Sequence, residues 1–544
     1  MKKYRLKDIT KFSLLFIFTS LTLFSACQGG FVDINTDRDR VDTEDLNKDN
    51  LWAAYIQSMQ LSVFSEDPNT YQLVDDMHGN VFSMYHGQAA NWNNGNNPTN
   101  YYFDVASDYH GTPFEAAYGT IEKTDGKATP GIMNSWNTMR QRVDSTSITF
   151  GVGLTVKVAG MHRLTDLYGP IPYLGYGKTL YVPYDSQEDV YKMLFEELDL
   201  AIKIMTDFYT ATPTSRPLAR FDLIYDGDIL KWIKFANSLK LRLAMRISYV
   251  EPELAKKYAE EAVNHKFGVM TANSETAKIK SSAVYPYENP LEQLWSDYGE
   301  TRMGANMDSY LNGYNDPRID KYFRATSNGK YIGMRNGMDA AASYRSLVST
   351  PNITKSSPLY WLHAAEVYFL RAEGALRGWN MNGVPETLYN QGIEIAMSEF
   401  DIVGSEVTNY INNSTSVPAP YVDPKGSFSV LTGSPMLSTI TIKWDESASF
   451  EQKLERIMTQ KWIAMYPNGL EAWSEFRRTG YPKLFTPAVN KNTSNIPDGK
   501  YIKRLPLPAS EFQKNKKLTE EAVTKYLNGK DSPGTRLWWD TTED

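Results

Sequence analysis

Apolar residues recur at helical spacing in several blocks of the chain, separated by long polar stretches in which that rhythm is lost. A first helix is expected near Leu51 to Phe64. Residues 149–168 end in His162-Arg163-Leu164-Thr165-Asp166-Leu167-Tyr168 and then meet Gly169-Pro170, a glycine and proline that stop a helix. Residues 186–206 open on Ser186 with Asp189 three positions later, a capping-box-like start, and Val190, Leu194, Leu198 and Ile202 recur on one face. Leu230, Ile233, Phe235, Leu239, Leu243 and Ile247 mark a similar helix over 228–248, and Pro252 opens another over 252–266. A helical hairpin is expected at 358–400: Leu362, Ala365, Phe369, Ala372 and Leu376 line one face, Gly378 closes it, and Pro385 opens a second helix through Leu388, Ile393 and Ala396. Small alanines set against aromatics over roughly 34–43 residues suggest tetratricopeptide-like helix pairs. A last pair of helices is expected at about 449–478.

Between these blocks, residues 91–131, 268–357 and 401–446 are rich in Asn, Ser, Gly, Pro and Tyr. Loops this long in a compact protein usually carry function or small structural elements of their own. The expected fold class is mainly α, a scaffold of helix pairs bearing large loops. Folded chains of 544 residues bury roughly 75% of their extended surface, so the core needs no staples.

The N-terminus reads as a targeting signal. Lys2, Lys3, Arg5, Lys7 and Lys11 precede an uncharged stretch from Phe12 to Phe24, too short for the roughly 20 apolar residues that span a bilayer. Phe24-Ser25-Ala26-Cys27 follows, and Cys27 is the only cysteine in the sequence. A lone cysteine makes no internal disulfide, and its place after two small residues matches a bacterial lipobox, with Phe24 where Leu is usual. The expected layout is a signal peptide over 1–26, a lipidated tether over 27–50 and one domain over 51–544. Five basic residues and one acid leave with the signal, so the net charge of −7 becomes −11. A chain this acidic is no candidate for nucleic acid or for a polybasic membrane contact.

Catalytic and metal motifs are sparse. Gly177-Lys178-Thr179 ends like a phosphate-binding loop, but Pro172 stands where the leading glycine belongs. No G-x-S-x-G, H-E-x-x-H or G-x-G-x-x-G occurs. Asp33, Asn35, Asp37, Asp39 and Glu44 have EF-hand-like spacing, but Arg38 occupies the position that needs glycine, so a solvated acidic linker is the expectation. His78 and His86, eight residues apart beside Asp75 and Asp76, lack the i, i+4 spacing of a helical metal pair. No metal and no cofactor are expected. A chain with 64 acids contains carboxylate pairs somewhere, so a glycoside hydrolase stays open at this level.

The unusual feature is aromatic. Tyr, Phe and Trp make up 13% of the chain, with 35 Tyr against 23 Phe, and many Tyr and Trp fall in polar loops. One cluster runs Tyr85-His86-Gly87-Gln88-Ala89-Ala90-Asn91-Trp92-Asn93-Asn94-Gly95 and on to Tyr101-Tyr102; another runs from Tyr285 through Trp295, Tyr298 and Tyr310. Flat rings beside amides suit saccharides, whose C–H faces stack on rings while Asn and Gln meet hydroxyls. The alternative is that the rings pin long loops to the scaffold. Tyr85, Asn91, Trp92, Trp295 and Tyr298 are the candidate ligand residues.

Several stretches resemble the SusD/RagB nutrient-binding outer-membrane lipoproteins of Bacteroidetes. Phe31-Val32-Asp33-Ile34-Asn35-Thr36-Asp37 is similar to the family's segment after the anchor, and Asp166-Leu167-Tyr168-Gly169-Pro170-Ile171-Pro172-Tyr173 to its helix-ending stretch. Glu366 to Leu376 resembles its tetratricopeptide-like helix. The most specific part is C-terminal: Ile457-Met458-Thr459-Gln460-Lys461-Trp462-Ile463-Ala464, then Tyr466-Pro467-Asn468-Gly469-Leu470-Glu471-Ala472-Trp473, then Glu475-Phe476-Arg477-Arg478-Thr479-Gly480, followed by Arg504-Leu505-Pro506, Glu511 and Asn515. The resemblance implies four tetratricopeptide-like units packed against a TonB-dependent SusC-like outer-membrane channel, a loop-rich ligand face, and binding of a glycan or other nutrient without catalysis. It further implies a lipid-anchored protein at the outer membrane, facing the exterior. Gln28-Gly29-Gly30 lacks the acidic export signal common in the family, and no ligand residue of the family is tied to a motif. The rival expectation is a surface glycoside hydrolase or peptidase on the same helical scaffold. Trp462, Trp473, Arg477 and Arg478 are expected to hold the C-terminal helices together.

Overall fold

Side-chain caps start several of the helices that the periodic pattern predicts. In the computed structural model, helix α1 (Ala54–Val63) is followed by α2 (Ile132–Arg140) and α3 (Ile148–Tyr168). The Ser147 hydroxyl accepts the Phe150 amide at 3.2 Å to start α3, and Gly169 leaves it at φ 85°, a backbone region that favours glycine. Helix α4 (Gln187–Ala211) starts as its sequence predicts, with Ser186 Oγ accepting the Asp189 amide at 3.0 Å, but it runs five residues beyond the expected end. Asp228 caps α5 (Ile229–Arg246), and Pro252 occupies the first turn of α6 (Pro252–Val263). Then come a short α7 (Pro290–Ser296), the predicted hairpin as α8 (Ala364–Leu376) and α9 (Pro385–Ser398), and finally α10 (Phe450–Ala464) and α11 (Gly469–Thr479).

The structure describes residues 52–542 apart from 105, 123–127, 284 and 340. The signal segment, Cys27, the tether and its EF-hand-like spacing lie outside the described residues.

Helix pairs build the scaffold: α3 packs on α4, α4 on α5, α5 on α6, and α8 on α9. The last two helices do not form a tight pair. Helix α10 lies on α8, while α11 lies chiefly against a π-helical segment, Gln72–Asn80. That second contact depends on two glycines meeting backbone to backbone. A Cβ on Gly469 would stand 2.2 Å from the Asn80 nitrogen, and one on Gly79 would stand 2.9 Å from the Leu470 nitrogen. Helix α3 is buried on nearly all sides, as a helix at the centre of a large protein should be. The long irregular stretches carry structure of their own, including a helix at Thr112–Tyr118 and another at Ala305–Tyr314. Strands β1 (His86–Gln88), β2 (Ala277–Ile279), β3 (Thr301–Met303) and β4 (Leu359–Leu362) pair antiparallel, β1 with β3 and β2 with β4.

A buried ionic lattice ties these helices together. Arg242 of α5 grips Glu366 of α8 through two bonds of 2.8 and 2.7 Å. Arg246 contacts Glu471 at 2.6 Å and also reaches Glu475, both on α11. Lys461 of α10 donates to Glu475 at 2.8 Å, and Arg478 bridges Glu373 at 2.6 Å and Glu475 at 2.7 Å. Burial raises the Glu475 pKa, but Arg478, Lys461 and Arg246 outweigh it and hold the carboxyl well below the usual range. Arg477 lies 3.6 Å from the centre of the Trp473 ring and donates to the Asp166 and Lys503 carbonyls at 2.8 Å each. Trp462, Trp473, Arg477 and Arg478 are all buried, so these residues of the C-terminal stretch join helices. Among the described residues no helix is long and apolar enough to cross a membrane.

Candidate functional site

The β1/β3 ladder is what brings the two aromatic loop clusters together. Its register sets His86 opposite Met303, Gly87 opposite Arg302 and Gln88 opposite Thr301. Asp76, fully buried, fastens both strands: its carboxylate accepts from His86 Nδ1 at 2.6 Å, Gln88 Nε2 at 2.6 Å, Thr301 Oγ1 at 2.7 Å and Asn80 Nδ2 at 3.0 Å. Burial raises its pKa, yet His86 and these hydrogen bonds bring it below the ordinary carboxylate value. His86 Nε2 lies 2.9 Å from the Tyr466 hydroxyl, so the whole Asp76–His86–Tyr466 chain is interior.

Pairing continues one step past the strands, where the Ala89 amide donates to the Glu300 carbonyl at 2.7 Å. The next turns of the two segments then face each other. The half-buried Trp92 donates its indole N–H to Glu300 Oε1 at 2.9 Å, and Gln72 donates to the other oxygen of the same carboxylate. Burial raises the Glu300 pKa, and the bonds from Trp92 and Gln72 partly offset that. Trp92 also meets Tyr109 edge-on at 5.8 Å. Tyr298, two residues before Glu300, donates its hydroxyl to Asn69 Oδ1 at 2.9 Å. Trp295, on α7, donates to the Ile353 carbonyl at 2.8 Å, and the Arg324 guanidinium lies 4.3 Å from its ring centre.

The candidate ligand residues therefore divide. Trp92 and Tyr298 share one neighbourhood through Glu300, with Trp295 a turn earlier in the same segment. Asn91 is exposed, its Oδ1 accepting the Ala342 amide at 3.2 Å. Tyr85 has no exposed surface: its hydroxyl donates to the Trp462 carbonyl and its ring packs 5.1 Å from the Trp462 ring. It supports the strand from beneath. Residue patterns gave no signal for Glu300 or Gln72, because one acid and one amide in separate loops acquire meaning only from the ladder between them. His78 and His86 are both buried and turned to separate partners, His78 to the Leu73 carbonyl, with burial pushing the His78 pKa down to about 3. Among the described residues no group of three or more His, Cys, Asp or Glu is placed to hold a metal ion.

Stacked helix pairs carrying a loop-built aromatic face define a helical scaffold protein whose candidate ligand surface is made by its loops. The chain belongs to the SusD-like family: residues 33–540 match the family described as Susd and RagB outer membrane lipoprotein. Among solved structures it is similar to a chitin-binding SusD homolog from Flavobacterium johnsoniae, at 35% identity and a TM-score of 0.83 over 91% of this chain and 99% of the other. A SusD homolog from Bacteroides uniformis matches at 35% identity and a TM-score of 0.80, covering 90% of this chain and 99% of the other. One from Bacteroides thetaiotaomicron matches at 33% identity and 0.80, with 91% and 99% covered. No curated protein matches this sequence.

Proposed function

We propose that this protein is a lipid-anchored, exterior-facing outer-membrane receptor that captures an oligosaccharide on the Trp92–Tyr298 face and delivers it to a TonB-dependent SusC-like channel. The observation that carries this reading is the Trp92 indole, partly exposed yet held in place by Glu300, two residues along the chain from Tyr298. A ring fixed before binding loses little freedom when a sugar stacks on it, which lowers the entropic cost of association. Asn91, Trp92, Trp295 and Tyr298 form the ligand face in this reading, with rings as platforms and Asn91 as a hydroxyl partner. Tyr85 acts only as support.

The chitin-binding relative makes N-acetylglucosamine oligomers the first ligands to test. Against the rival hydrolase stands the state of the two carboxylates that anchor the face. Glu300 has each oxygen committed to a donor, and Asp76 has no exposed surface, so neither is placed to protonate a leaving group or to hold a water. Isothermal titration against a glycan panel tests the reading. Loss of binding in a Trp92→Ala, Trp295→Ala double variant supports it, and unchanged affinity removes these residues from the site. Metabolic labelling with a palmitate analogue, lost in Cys27→Ser, tests the anchor; co-purification of a TonB-dependent transporter tests the partner.

A further inference from the structure

Next to the loop that carries Trp92 lies a cleft of about 600 Å³, the volume of an ordinary small-ligand site. Phe103, Leu507 and Phe512 make its apolar wall, and Tyr102, Gln513 and Lys491 stand among its polar lining. The Tyr102 hydroxyl and the Gln513 amide make no hydrogen bond to any described residue, so both are free to meet a ligand. The charged groups are already engaged. Asp531 accepts from Arg504 and from the Leu507 amide, and Lys491 donates to the Gly95 carbonyl at 2.9 Å and lies 3.3 Å from Asp339. His110 is buried, which holds its pKa below the usual value and leaves the ring uncharged at neutral pH. What is left suits a neutral, hydroxyl-bearing guest with an apolar face.

The cleft is also continuous with the aromatic face. Tyr109 packs against Trp92, and its neighbour His110 lines the cleft. Lys491, part of the cleft, is hydrogen-bonded to the carbonyl of Gly95 in the Trp92–Gly95 turn. We infer that this cleft is a second subsite for the same neutral glycan, holding sugar units beyond those stacked on Trp92. The inference rests on the glycan reading proposed above.

The test uses the full chain with the disaccharide and hexasaccharide of N-acetylglucosamine, and the matching malto-oligosaccharides, titrated calorimetrically into wild type, Ala509→Trp, Gln513→Ala and Trp92→Ala. Ala509 lines the cleft and is not fully buried, so an indole there fills the space without removing core packing. The expected result is that Ala509→Trp weakens the hexasaccharide by about tenfold or more and abolishes its advantage over the disaccharide, with a smaller loss in Gln513→Ala. Should Ala509→Trp melt early, Gln513→Ala decides, since Gln513 is exposed. Wild-type hexasaccharide affinity in a folded Ala509→Trp protein overturns the cleft. Affinity retained in Trp92→Ala but lost in Ala509→Trp supports the cleft and overturns the aromatic face. A wild-type chain that binds none of these sugars overturns both.

Discussion

Glu300 offers a way to disturb the proposed face without touching a ring. Replacing it with alanine removes the acceptor for the Trp92 indole and for the Gln72 amide together. Both side chains then become free in the unbound protein and must be ordered again when a sugar binds. Ordering costs about 0.5–1.5 kcal/mol for each mobile side chain, so affinity should fall by about 1–3 kcal/mol. At about 1.4 kcal/mol per tenfold, this is a loss of roughly 5- to 140-fold. Glu300→Gln keeps a carbonyl oxygen for the indole and should bind within about threefold of wild type. The assay is calorimetric titration with a glycan that wild type binds, with thermal melts to confirm folding. Equal affinity in Glu300→Ala and wild type, where Trp92→Ala binds poorly, would refute the idea that locking the indole matters.

Three further outcomes test the scaffold. Arg478→Ala leaves buried Glu373 with Arg377 alone and Glu475 with Lys461 and Arg246, and should cost up to about 3 kcal/mol in urea unfolding; a change under about 1 kcal/mol contradicts the lattice. Gly469→Ala forces a methyl against the Asn80 backbone, which cannot yield as a side chain would, and should cost about 1–3 kcal/mol by the same measurement. Burial pushes the Asp308 pKa up to about 6 from 3.8, although the Gly333 amide and Asn312 hydrogen-bond to it. Between those values the folded state binds more protons than the unfolded one, so this group's contribution to stability falls by about 3 kcal/mol as pH rises from 3.8 through 6. Asp308→Asn should flatten the pH profile of thermal stability across that window, and an unchanged slope would assign the effect elsewhere.

Local patterns were enough to place the scaffold. Ser186 before Asp189, Pro252 in a first turn and Gly169-Pro170 after Tyr168 all act through neighbours within four residues, so they are readable before any tertiary contact exists. The end of α4 and the presence of α2 were less legible. Ile132 and Met139 of α2 gain their burial from Gly160 and Gly153 of α3, where a Cβ would stand 2.1 and 2.2 Å from their side chains. The last two helices stand where the sequence placed them, but what they pack on was not legible: α11 is held through Gly469 against Asn80, nearly 400 residues apart in the chain. At the candidate site composition was legible beforehand: rings and amides concentrated in loops. Only the tertiary structure decided that Tyr85 is buried while Trp92 reaches the surface, through contacts distant in the chain: Trp462 of α10 packs against the Tyr85 ring, whereas Trp92 lies in a turn past the end of β1. It decided equally that Glu300 meets Trp92 across 208 positions of sequence, a pairing made by the β1/β3 register and by nothing local.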